Sequence, residues 1–148
     1  MTELPLRAIA TAIASLTFDG VTVLDLDQMP DAIPTGRELP ILGPSANDPS
    51  YLTDWTAQRV SLQGNQRNEF TLNYTLFFAL VGKERGLFKL YPEMVACAAG
   101  VIEVFQAVKA VDGCKALAVF GLPAFGRVFD ASGNQFHGAT ISLRLTVF

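Results

Sequence analysis

Hydrophobic positions along this chain follow two periods, and the shorter one is the clearer. In "EFTLNYTLFFALVG", Phe70, Leu72, Tyr74, Leu76, Phe78 and Leu80 alternate with Thr71, Asn73, Thr75, Phe77 and Ala79. That is the period of a long strand with one wholly apolar face. The closing stretch "GNQFHGATISLRLTVF" alternates as well: Ile141, Leu143, Leu145 and Val147 fall on one face, and Thr140, Ser142, Arg144 and Thr146 on the other. This predicts a second half-buried strand, running from about Gly138 to Phe148, with its end tied into the core or into a neighbouring subunit.

Helical spacing occurs twice. Leu6, Ile9, Ile13 and Leu16 form one stripe of a helix from about Pro5 to Leu16, with the proline in the first turn, where its missing N–H costs nothing. In "YPEMVACAAGVIEVFQAVKAV", Met94, Ala98, Val101, Ile102, Phe105 and Val108 form the core-facing stripe of a longer helix that Pro92 opens and Asp112 and Gly113 close. Shorter strands are expected at "VTVLDLD" after the Asp19–Gly20 turn, and at "DWTAQRVSL". The latter pairs with the long strand as an antiparallel hairpin across "QGNQRN". Further strands are expected at "CKALAVFG" and "RVFDASGNQF", the last turning at Ser132, Gly133 and Asn134. The sum is a single α+β domain over residues 1–148, a mainly antiparallel sheet packed against two helices.

One stretch fits neither period. From Gln28 to Thr53 the chain carries five of its eight prolines together with Ile33, Leu39, Ile41, Leu42, Tyr51 and Leu52. A structureless stretch of that length within a small domain is typically either functional or disordered. It is expected to be a long Pro-rich loop or extended arm, and its apolar residues predict an arm lying on another subunit or partner.

Composition supports assembly more than chemistry. Half of the 148 residues are hydrophobic and only 17% are charged, against the ~25% of ordinary domains. The surplus suits a subunit interface. No apolar run approaches the ~20 residues of a membrane helix. Net charge is −3 with scattered basic residues, which disfavours a tight grip on nucleic acid. Cys97 and Cys114 read as small buried apolar residues, and Glu3 and Pro5 spoil a secretory start, so synthesis in a cytoplasm is expected.

Candidate chemistry is sparse. His137, the sole histidine, has no second histidine for a metal site and reads as a residue at the start of a strand. Asp25 and Asp27 are two apart, which on a strand aims both carboxylates at one face, as paired acids require, and equally describes a solvated strand end. No serine has the G-x-S-x-G context of a nucleophile, and "VFGLPAFGRVF" lacks phosphate-loop spacing. Lys83 and Arg85 of "GKERG" sit at a strand-to-helix turn, solvated or gripping a partner. No catalytic, cofactor or metal residue is expected.

The order of elements resembles the tail terminator, or tail completion, proteins of long-tailed bacteriophages. The resemblance rests on the Thr/Asn/Phe-rich strand before a proline-opened helix and on the closing "FHGATISLRLTVF". It runs from "LRAIATAIASL" to Phe148 and is one of pattern, since the family has no short motif. It implies a hexameric ring at the head–tail junction of a virion that caps the tail tube protein, stops its growth and meets the head–tail connector. DNA would pass through it without being tightly bound. Interface candidates are Ile33, Leu39, Ile41, Tyr51, Lys83, Arg85 and Phe148. Two other readings stay open: another neck component, such as a head completion or adaptor protein, or a small oligomeric enzyme or ligand-binding domain using Asp25, Asp27 or His137.

Overall fold

The structure is a computed structural model, and its described residues are 6–26, 30, 40–45, 50–59, 66–80, 87–108, 116–119 and 124–147. They form two helices and seven strands: α1 (Leu6–Ala14), β1 (Thr22–Val23), β2 (Ile41–Pro44), β3 (Leu52–Arg59), β4 (Gln66–Leu80), α2 (Leu87–Ala107), β5 (Ala116–Val119), β6 (Ala124–Phe129) and β7 (Gln135–Val147). The fold is α+β, with a sheet that is antiparallel except where β1 meets β2.

The two long alternating segments are the two central strands, β4 and β7, paired from Asn68↔Val147 to Leu80↔Phe136. Each has two short strands lying end to end along its outer side. β2 pairs with residues 77–74 of β4 and β3 with residues 72–66. On the far side, β5 pairs with residues 146–143 of β7 and β6 with residues 140–135.

Both helices pack on one face. Ile9 and Ile13 of α1, and Ala98, Val101 and Phe105 of α2, meet Phe70, Leu72, Tyr74, Leu76, Ile141, Leu143, Leu145 and Val147 in a single core. These strand residues are those the alternation assigns inward. A smaller cluster of Ile41, Phe77, Val128 and Phe136 buries one end of the opposite face. Phe77 and Phe136 meet there edge to face, with ring centroids 5.2 Å apart.

Four expectations change. Pro92 is the sixth residue of α2, not its opener, because the helix begins at Leu87. Strict alternation ends at Phe77, since a bulge leaves Phe78 unmatched between Phe77↔Gly138 and Ala79↔His137. β7 starts at Gln135, so His137 lies inside the strand, buried, rather than before it. The proline-rich stretch is not an arm throughout: Ile41–Pro44 is a buried strand of the chain's own sheet, and Leu52 begins β3. Its single-strand length, four residues ending in proline, is too short to show a period. The intervening 31–39 and 46–49 lie outside the described residues.

Candidate functional site

The interface candidates separate once placed. Ile41 is 4% exposed inside the second apolar cluster, so its side chain serves this subunit's own packing. Tyr51 is half-buried, its ring edge-on to Tyr74 and its hydroxyl 3.2 Å from the Tyr74 hydroxyl. Burial pushes the Tyr51 phenol up to about 12, and burial likewise raises that of Tyr74. Ile33, Leu39, Lys83, Arg85 and Phe148 lie outside the described residues, as do Asp27 and Cys114.

The chemical candidates are not gathered. Asp25 follows β1, accepting a hydrogen bond from the Thr11 hydroxyl at 2.8 Å, while His137 is on β7. β2 and β4 stand between those two strands. At ~4.8 Å per rank the separation is on the order of 14 Å. Cys97 is half-buried on α2, and burial raises its thiol. Among the described residues no group of three or more His, Cys, Asp and Glu is placed to hold a metal ion, and no helix is long and apolar enough to cross a membrane.

What the fold does gather is a hydrogen-bonded network on the face of the sheet away from the helices. Asn73 is its centre: Nδ2 donates to the Ser50 carbonyl at 2.9 Å and to Thr53 Oγ1 at 3.0 Å, and Oδ1 accepts from the Ser142 hydroxyl at 2.6 Å. Ser45 and Thr75 share a hydrogen bond of 2.7 Å beside it. Thr71, Asn73 and Thr75 are all buried, so each polar group taken from water must find a partner in the protein.

Arg144 extends the network across three strands. From β7 its Nη1 donates to the Asp54 carbonyl of β3 at 2.9 Å and to Thr71 Oγ1 of β4 at 3.2 Å, and Nη2 is 3.5 Å from Glu69 Oε2. Arg67 pairs with the other Glu69 oxygen, and these hydrogen bonds, Arg67's first, hold the Glu69 carboxyl below its usual range. Among the described residues, Arg67 and Arg144 thus share the single Glu69 carboxylate, one oxygen each.

Arg144 grips β3 where the backbone is least regular. The register shifts between Thr53 and Thr56, and Asp54 has φ 54°, in the left-handed region that residues other than glycine seldom enter. The bulge turns Trp55 onto the helix-covered face, where its indole donates to Asn68 Oδ1 at 3.1 Å. Trp55 is nonetheless 50% exposed, the most exposed of the large hydrophobic side chains among the described residues.

No protein-family model matches the chain, and no curated protein matches it in sequence.

Trp55 and Arg144 escape a reading by sequence pattern. Trp55 sits in a segment whose facing depends on the bulge, and Arg144 looks like one more polar position of an alternating strand. The available signal was the polar run Thr71, Asn73, Thr75 opposite Thr140, Ser142, Arg144, on two strands otherwise built for a core.

Proposed function

We propose that the protein is a structural virion subunit of the tail-terminator kind. It forms a ring, of six copies by the resemblance, that caps a tail tube, ends its growth and presents a surface to the head connector. The observation that supports this most is the inequality of the two sheet faces combined with open sides. One face carries both helices; the other carries a polar network in which two arginines share one carboxylate.

The strand directions suit head-to-tail repetition. At one level the sheet has four ranks, β3, β4, β7 and β5, read across as Leu52–Leu72–Leu143–Val119 and Thr56–Glu69–Thr146–Ala116. Each rank is antiparallel to the next, so the first and the last run in opposite directions. Among the described residues no strand lies beyond β3 or β5 at that level. Copies repeated about an axis along the strands bring β3 of one beside β5 of the next, antiparallel and level. Closed repetition leaves no free end.

With helices outward, the half-exposed Thr140, Ser142, Arg144, Thr146 and Glu69 face the pore. A lining mostly of hydroxyls, in which one carboxylate is held between two arginines, grips phosphates less than a surface of free arginines does.

Light scattering and electron microscopy of the protein mixed with tail tubes test the reading. Rings and capped tubes of fixed length are the expected result. A protein that stays monomeric and leaves tube length unchanged overturns it.

A further inference from the structure

Two guanidiniums around one carboxylate leave a positive charge on the polar face, in a chain whose net charge is −3. The two arginines are held differently. Arg144 is fixed mainly by neutral acceptors, the Asp54 carbonyl at 2.9 Å and the Thr71 hydroxyl at 3.2 Å, while Glu69 Oε2 is 3.5 Å away. A charge-assisted hydrogen bond is ordinarily about 2.7–2.9 Å long, so the carboxylate meets Arg144 weakly. Arg67 takes the other oxygen of the same group.

Both side chains keep donors open to solvent. Arg67 is 43% exposed and Arg144 28%. A guanidinium carries five N–H donors. Among the described residues, Nε of both arginines and Nη1 of Arg67 donate to no protein acceptor. Such donors match an anion with several oxygens, and the planar fork of arginine suits phosphate. Because Arg144 is already immobilised by β3 and β4, it loses little side-chain freedom when an anion arrives. Glu69 competes with that anion for both guanidiniums, which keeps the contact weak.

We infer that the Arg67–Glu69–Arg144 group contacts the backbone phosphates of double-stranded DNA, and that Glu69 sets how weakly it holds them. This rests on the ring reading above, in which the polar face lines the pore and the polyanion that passes it is DNA. It adds which residues touch the DNA and which one limits the grip.

Labelled duplex DNA is titrated with the protein at a series of salt concentrations and followed by fluorescence anisotropy, on monomer and on rings checked by microscopy. The expected result is weak binding that salt abolishes. Glu69→Gln should tighten it several-fold and steepen its salt dependence, and Arg67→Gln should loosen it several-fold, with both proteins folded by circular dichroism. Glu103→Gln, exposed on α2, changes the net charge equally and should leave affinity unchanged. Affinity that rises as much with Glu103→Gln as with Glu69→Gln overturns the contact, since net charge alone then explains it. Polyglutamate that displaces the DNA more effectively than polyphosphate of equal charge also overturns it, because an acidic protein is then the better partner. Rings that form and show no response to Glu69→Gln overturn the contact and leave the ring reading standing. A Glu69 response in monomer, with no rings under any condition, supports the contact and overturns the ring reading.

Discussion

The two faces of one sheet are held by different physics, and neighbouring residues of β7 show the contrast most directly. Leu143 faces the helices, fully buried among apolar side chains, where its contribution is area removed from water. Ser142, one residue earlier, faces the opposite way and is held by a directed bond to Asn73. The apolar face tolerates shape change only at the cost of cavities. The polar face tolerates no loss of a partner, because every buried hydroxyl or amide left alone retains its desolvation penalty. The difference assigns tasks: the helix side supplies stability, and the polar side supplies a surface of fixed geometry.

The comparison breaks first in the apolar core. Leu143→Ala should cost about 2–5 kcal/mol, and Ser142→Ala about 1 kcal/mol, as separate measurements of urea unfolding. Equal losses would mean that the faces are not distinct in the way described. Next in size comes Gly138→Ala, at the point where the β4 bulge switches the facing. A Cβ there would lie 1.8 Å from the Leu76 carbonyl oxygen and 3.0 Å from Val128 Cγ2. The obstruction is backbone, so the cost should reach or exceed the upper end of the ~1–3 kcal/mol typical of overpacking. A protein whose midpoint of unfolding is unchanged would show that β4 and β7 do not approach so closely.

Asn73→Ala is the matching break on the polar face. It strands the Ser50 carbonyl and the Thr53 and Ser142 hydroxyls together, with an expected cost of about 1–3 kcal/mol. Asn73→Ala and Ser142→Ala should be non-additive in a double-mutant cycle, because they remove the same bond. Strict additivity would argue that the network is not formed as described.

Much of this was legible because period two survives burial. The inward sets of β4 and β7 up to the bulge, the helix stripes, and the turn at Ser132–Asn134 all follow from spacing. In that turn, Asp130 accepts from the Ser132 and Asn134 amides. Short elements were legible only in part: β1 and β5 lie within the runs "VTVLDLD" and "CKALAVFG", whereas β2, four residues ending in proline, shows neither period. Nor does composition reveal a bulge, since Phe77 and Phe78 are alike in sequence and only the register places Phe77 in the second cluster. The candidate surfaces follow the same division. Polar positions on β4 and β7 were visible, but that Arg144 reaches across three strands, and that Asp54 takes a left-handed conformation, are properties of the assembled sheet.

Acid and alkali should separate the faces by smaller amounts. The Tyr51 phenol has its pKa raised from 10.0 to about 12 by burial, so the folded state holds its proton where the unfolded chain loses it. Its contribution is fully present below pH 10 and is lost as pH rises from about 10 to 12. Tyr51→Phe should flatten that alkaline decline in Tm. On the polar face the sign is opposite: Glu69 is held below its usual 4.5 by the Arg67 hydrogen bond, so its contribution is present above that value and is lost as pH falls. Because Glu69 is exposed to solvent, Glu69→Gln should change the acid limb only slightly, and salt should reduce the change further. An alkaline limb untouched by Tyr51→Phe would show that the tyrosine pair is not desolvated.

The smallest expected effect lies on α2, and it is a gain. Gly100 is in the interior of the helix, exposed, with nothing within 4 Å of the position a Cβ would take. Its residue in the unfolded chain has more conformational freedom to lose than alanine, so Gly100→Ala should stabilise by about 0.5–1 kcal/mol. The same methyl group that is excluded at Gly138 is thus welcome at Gly100, because the outer side of the helix makes no contact within the subunit there. The position also tests the proposed assembly. Gly100 is on the exposed side of α2, so the substitution should raise Tm, and on the proposed ring it should leave assembly unchanged. A stabilised monomer that no longer assembles would put the exposed side of α2 at Gly100 into the proposed contact between copies.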